Sequence, residues 1–165
     1  MAHELTQVEI DKIKEEIAHR QAEVTPACIA EVQRTRALGD LSENDEYRSA
    51  KRELNRNYSR IRYLKGLLEN AKVVSYSSTD DTVGMFDTVT LYYEDDEEER
   101  TITLVTPLRN DILNGRISKE SPLGKAIIGH KVGDRVEIQV NDKYSYFVEI
   151  KALTKGTDDD TLRIN

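Results

Sequence analysis

The stretch "GDLSENDEY", residues 39–47, places four carboxylates (Asp40, Glu43, Asp45 and Glu46) within seven residues. Two carboxylates three residues apart can share one hard cation, and Mg²⁺ typically takes one or two protein carboxylates while keeping water or borrowed oxygens in the rest of its shell. A pair in an exposed turn would hold such an ion weakly, so it would matter only where a partner completed the coordination. The same spacing also serves a structural purpose. Asp40 with Glu43, and Ser42 with Asp45, both fit a capping box, in which side-chain oxygens satisfy the free amides of a helix's first turn and acids complement its dipole. Capping needs one or two such groups, and here there are four acids.

The flanking segments decide where these acids are displayed. From Leu5 to Leu38 the pattern is helical, with Ile10, Ile13, Ile17 and Val24 recurring at three-to-four spacing. Pro26 removes a backbone donor and is expected to bend this helix or shift its apolar stripe. In the second segment Tyr47, Leu54, Ile61 and Leu68 repeat every seven residues, with Ala50, Asn57, Leu64 and Ala71 at the complementary positions. That is a coiled-coil seam, in which Asn57 costs stability but fixes register. Two such helices joined by a short turn predict an antiparallel hairpin, a rod roughly 40–45 Å long at 1.5 Å per residue, with the acidic stretch at its far tip.

Beyond Lys72 the period changes. "DTVTLYY" and "TITLV" flank the acidic run "EDDEEER" and read as a β-hairpin around a solvated turn. A short helix starts near Pro122 after a Ser121 cap, followed by a turn at Gly133-Asp134 and a second hairpin. The expected fold class is therefore α+β, with a coiled-coil hairpin over residues 1–75 and a bent β-sheet domain with one short helix over 76–165. The last residues, "KGTDDDTLRIN", read as a frayed end.

Charge is segregated along the chain. Residues 1–46 hold 5 Lys/Arg against 11 Asp/Glu, residues 48–72 hold 8 against 2, and residues 73–165 hold 11 against 18. A net charge of -7 argues against general binding to duplex nucleic acid. The basic arm (Arg48, Lys51, Arg52, Arg56, Arg60, Arg62 and Lys65) fits either ion pairing with the acidic first helix or contact with phosphates or an acidic protein channel. The one cysteine, Cys28, excludes an internal disulfide and fits a reducing cytoplasm. No apolar run approaches the length of a membrane span. There is no phosphate-binding glycine loop and no hydrolase elbow, so any catalysis would be lent to another enzyme.

These residues resemble the Gre family of bacterial transcript-cleavage factors. "GDLSENDEYRSAK" is similar to the family's tip signature, "NAKVV" to the end of its coiled coil, and "GRISKESPLGKAIIGHKVGDRVEI" to its C-terminal signature. The resemblance implies an FKBP-like C-terminal domain that docks on bacterial RNA polymerase through the Ser121-Pro122 region, and a coiled coil that enters the polymerase's secondary channel. Asp40 and Glu43 would then be the catalytic acids. They would help hold a Mg²⁺ shared with the polymerase, which the free protein binds weakly or not at all, so that the nascent RNA 3′ end is hydrolysed. Asn44 and Tyr47 match the signature, and Arg36, Lys51, Arg52 and Arg56 fall where basic residues would face RNA or polymerase. The resemblance implies a cytoplasmic monomer that stimulates another enzyme. The chain departs from the family at Asp45, usually a small residue, and at "ITLVTPLRND", where Pro107 and Arg109 stand in an unusual segment. Two other readings stay open: a channel-occupying regulator without cleavage, and a polymerase-independent coiled-coil adaptor or chaperone.

Overall fold

Helix α1 (Gln7–His19) begins where a reciprocal cap can form: the Thr6 hydroxyl accepts from the Glu9 amide at 3.2 Å, and the Glu9 carboxylate accepts from the Thr6 amide at 2.9 Å. The computed structural model describes residues 3–39, 44–77, 80–158 and 163–165. The chain divides into two compact units, Met1–Val74 and Ser75–Asn165.

In the first unit, the residues before α1 are not helical. Strand β1 (His3–Leu5) pairs in parallel with β2 (Ala71–Val73), correcting the helical reading that began at Leu5. Leu5 is buried there. After α1, Arg20–Val24 form a π-helical turn, followed by α2 (Thr25–Arg36). The Thr25 amide donates to the Arg20 carbonyl, five residues back. Pro26 explains the wider turn, because its ring cannot donate and crowds the carbonyl four residues before it. The expected shift of the apolar stripe is therefore present, and its cause is one inserted residue, worth about 100° of rotation. Ile10, Ile13 and Ile17 stay in the seam and are buried. Val24, expected beside them, is turned out and only half-buried, and Thr25 takes the seam position.

The returning arm is α3 (Asp45–Glu69). Its seam follows the seven-residue repeat, with Ala50, Asn57, Ile61 and Leu64 buried. Asn57 is satisfied across the seam: its amide donates to the Thr25 hydroxyl at 2.6 Å and its carbonyl accepts from Arg20 at 3.1 Å. Glu16 extends this network, accepting from Arg20 (2.8 Å) and from Arg60 of the opposite arm (2.8 and 3.1 Å). The two guanidiniums, Arg60 above all, hold the Glu16 carboxyl down at about 2.

The second unit is a five-stranded curled sheet in the order β5-β4-β3-β7-β6. Its strands are β3 (Thr88–Tyr93), β4 (Glu98–Val105), β5 (Arg116–Ser118), β6 (Arg135–Asn141) and β7 (Tyr144–Thr154). Both expected hairpins are present, β3–β4 and β6–β7; of the acidic run, residues 94–97 form the turn and Glu98, Glu99 and Arg100 open β4. Strand β5, parallel to β4, was not expected; at three residues it is too short to carry a period. Helix α4 (Pro122–Ile127) buries Leu123 and Ile127 against Val89, Leu91, Ile138, Val148 and Ile150 of the sheet.

Residues 155–158 and 163–165 correct the expectation of fraying, while 159–162 lie outside the described residues. Lys155 and the Gly156 amide both bond the buried Asp87, and Asp158 pairs with the fully buried guanidinium of Arg109. Ile164 is buried, while Asn165 donates to the Leu108 and Asn110 carbonyls at 2.8 and 2.7 Å. Arg109, the unusual residue of the sequence, stands 5.1 Å over the Phe86 ring and is an anchor for this tail.

Candidate tip and its flanking surfaces

The tip is closed by Asn44. Its side-chain oxygen accepts from the Tyr47 amide at 3.0 Å, capping α3, and its side-chain amide donates to the Thr35 carbonyl at 2.7 Å, tying the cap to the end of the other arm. Thr35 is buried, and its hydroxyl bonds back to the Glu31 and Val32 carbonyls. The cap assigned from sequence to Ser42 with Asp45, or to Asp40 with Glu43, is thus corrected: Asn44 is the cap, and Asp45 and Glu46 occupy the first turn, where acids favour the helix dipole. Asn ranks with Asp and Ser as a capping residue, so the sequence held this signal among stronger-looking competitors. Asp40 and Glu43, the expected metal ligands, and Ser42 lie outside the described residues. Among the described residues there is no group of three or more His, Cys, Asp or Glu side chains that could hold a metal ion.

The basic candidates fall into two sets. Arg56 pairs with Glu53 and Arg60 with Glu16, the second being the interhelical pair that composition allowed. Lys51 and Arg52 are exposed with no carboxylate partner among the described residues; the Lys51 ammonium stands 5.6 Å from the centre of the half-buried Tyr47 ring, and Arg52 donates to Ser49. Arg36 is exposed in the last turn of α2, one residue from Thr35. Asn44, Tyr47 and Lys51 therefore form one contiguous group at the start of α3.

In the second unit, the Ser121 hydroxyl accepts from the Gly124 amide at 3.0 Å and donates to the Ser118 carbonyl at 2.7 Å, with Pro122 exposed at the first helical position. Gly124 is required because a Cβ would stand 2.2 Å from the Ser118 carbonyl oxygen. Among the described residues no helix is long and apolar enough to cross a membrane.

A two-helix arm followed by a five-stranded curled sheet with one helix defines a two-unit α+β class of protein. Comparisons with known proteins specify it. The model of the GreA/GreB transcription elongation factor N-terminal domain matches residues 3–73, and that of the C-terminal domain matches residues 78–155. Transcription elongation factor GreA of Oenococcus oeni is 39% identical over 132 residues, covering 79% of this chain and 82% of that protein. GreA of Chelativorans sp. is 42% identical over 129 residues, covering 78% and 82%. A solved structure similar to the chain is GreA factor homolog 1 of Thermus thermophilus, at 22% identity and a TM-score of 0.43, covering 94% of this chain and 100% of that one. The chain belongs to the GreA/GreB family of transcription elongation factors.

Proposed function

We propose that this protein is a transcription elongation factor that inserts the tip of its hairpin into the secondary channel of bacterial RNA polymerase and stimulates cleavage of backtracked nascent RNA. The observation that carries the reading is the Asn44 bridge, which caps α3 and holds it to Thr35 of the other arm immediately beside positions 40–43. A turn anchored at its base loses less freedom when it delivers side chains to a partner's active centre. Asp40 and Glu43 are the delivered acids. Their hard oxygen donors suit Mg²⁺, which would be held jointly with the polymerase and would supply an oriented, activated water for phosphodiester hydrolysis. Arg36, Lys51 and Arg52 offer phosphate contacts behind the acids, while Tyr47 braces Lys51. Ser121 and Pro122 sit on a rigid, capped turn suited to docking on the polymerase. The factor contributes groups to the polymerase's own hydrolysis and acts in the cytoplasm.

The test is a stalled elongation complex of bacterial RNA polymerase carrying 3′-end-labelled RNA. Adding the protein is expected to release short 3′ fragments faster, and Asp40→Ala or Glu43→Ala to lower that rate on the order of a hundredfold. Unchanged cleavage in both variants overturns the assignment. Slowed nucleotide addition with no fragments would identify the non-cleaving channel regulator instead.

A further inference from the structure

The turn that carries Ser121 and Pro122 hangs from β5, a three-residue strand at the edge of the sheet. One side of β5 is paired with β4. Its other side is held by residues 110 and 111. The Arg116 amide donates to the Asp111 carbonyl and the Asp111 amide to the Arg116 carbonyl, both at 2.9 Å, and the Ser118 amide donates to the Asn110 side-chain oxygen at 3.0 Å. The Ser118 carbonyl then accepts from the Ser121 amide at 3.1 Å and from its hydroxyl at 2.7 Å. Residues 107–110 are themselves fixed from outside. Asp158 pairs with the buried Arg109, and Asn165 bonds the Leu108 and Asn110 carbonyls. The start of this last segment is fixed as well. The Gly156 amide bonds Asp87, and a Cβ at position 156 would stand 2.0 Å from the carbonyl oxygen of Phe86, a residue held at a φ of 67°.

We propose that the Arg109–Asp158 pair is a positioning element for docking: it sets where residues 107–111 lie, and through Asn110 and β5 it sets where Ser121 and Pro122 are presented to the polymerase. So short an edge strand has little cohesion of its own, and its backing therefore decides how far the turn can move. A guanidinium with no exposed surface is costly to bury unless it is paired. Its planar fork, set between the Asp158 carboxylate and the Phe86 ring, admits few arrangements, so the backbone that carries it is fixed with it. The buried apolar cluster under the sheet runs from Val83 to Ile150 and includes no described residue of 155–165, so filling that core does not require the pair. A turn held in this way gives up less freedom when a partner docks on it. The inference rests on the reading of Ser121 and Pro122 as the docking turn, and it concerns affinity rather than the chemistry at the tip.

The test measures the Kd of the protein for immobilised bacterial RNA polymerase, well below the melting temperature of each variant, together with the transcript-cleavage rate at saturating protein. Asp158→Asn removes the charge of the clasp. Asn110→Ala leaves the clasp intact and removes its link to Ser118, so it carries the test even if Asp158→Asn fails to fold. Each is expected to raise the Kd about tenfold while the saturated cleavage rate stays at the wild-type value, and the double variant should bind no more weakly than the weaker single, because both act along one path. A purely structural role would lower the circular-dichroism melt and leave the Kd within about twofold of wild type, which overturns the proposal. Multiplying effects in the double variant overturn it as well. Pro122→Glu separates the two levels of the reading. If it binds as the wild type does, the docking turn is misassigned and the positioning role falls with it; if it binds weakly while Asp158→Asn and Asn110→Ala bind normally, the positioning role alone is wrong.

Discussion

The two halves of the hairpin solve the same packing problem differently. At the base, Ile10, Ile13 and Ile17 face Ile61, Leu64 and Leu67, and all six are buried. Toward the tip, the buried residues are Thr35 of α2 and Ala50 of α3, and hydrogen bonds cross the seam from Asn57 to Thr25 and from Asn44 to Thr35. The Glu16–Arg20–Arg60 cluster marks the boundary. The base supplies cohesion, while the tip half trades apolar burial for directional hydrogen bonds that fix register and leave a face open. A rod built this way is held from one end and specified at the other.

This contrast can be broken most sharply at Leu64, which has no exposed surface. Leu64→Ala is expected to cost about 2–5 kcal/mol in urea denaturation, because the removed methyl groups leave a void in a closed seam. A loss below about 1 kcal/mol would show that the base is not the source of cohesion. Next is the boundary. Glu16→Gln leaves two half-buried guanidiniums without their shared carboxylate and is expected to cost about 1–2 kcal/mol. The Glu16 carboxyl titrates at about 2 in the folded protein against an ordinary 4.5, so its contribution is fully present above pH 4.5 and lost as pH falls toward 2. Acid unfolding of the wild type and of Glu16→Gln should therefore converge in that window and diverge above it.

Smaller effects are expected toward the tip. Asn44→Ala removes the cap and the tie to Thr35, for about 1 kcal/mol. The loss should appear chiefly as faster hydrogen exchange in the first turn of α3, with transcript cleavage reduced and the base unchanged. The smallest change is Val24→Ala, expected below about 1 kcal/mol because the side chain is already half out of the seam. A cost matching that of Leu64→Ala would mean that Val24 packs in the seam as the sequence pattern suggested.

Much of the architecture was legible because it is written in periods. The seven-residue repeat of α3 placed Ala50, Asn57, Ile61 and Leu64 in the seam, and alternation placed the two hairpins of the sheet. The Ser121-Pro122 start of α4 was legible from cap chemistry alone. What could not be read depends on partners distant in sequence. Strands β1 and β2 are three residues each and exist through each other, 68 residues apart in register. The residues from Lys155 read as a frayed end because their binding partners, Asp87 and Arg109, are buried charges whose environment no local pattern discloses. Asn44 was read as part of the family signature and not as the cap, since a sequence offering Asp40, Ser42, Glu43 and Asn44 so close together does not say where the helix begins.

By itself the sequence determined the two-part α+β organisation, the antiparallel rod, the family and the acids carried in its tip stretch, because periodicity, composition and motif spacing are local properties. Only the tertiary structure decided that Pro26 is accommodated by a π turn, that Val24 consequently leaves the seam, and that Asn44 joins the two arms. Proline allows a kink, a break or a wider turn with equal local right, and a capping oxygen is offered by several neighbouring residues; which option is taken shows only in the folded hairpin, where Asn57 meets Thr25 and Asn44 meets Thr35.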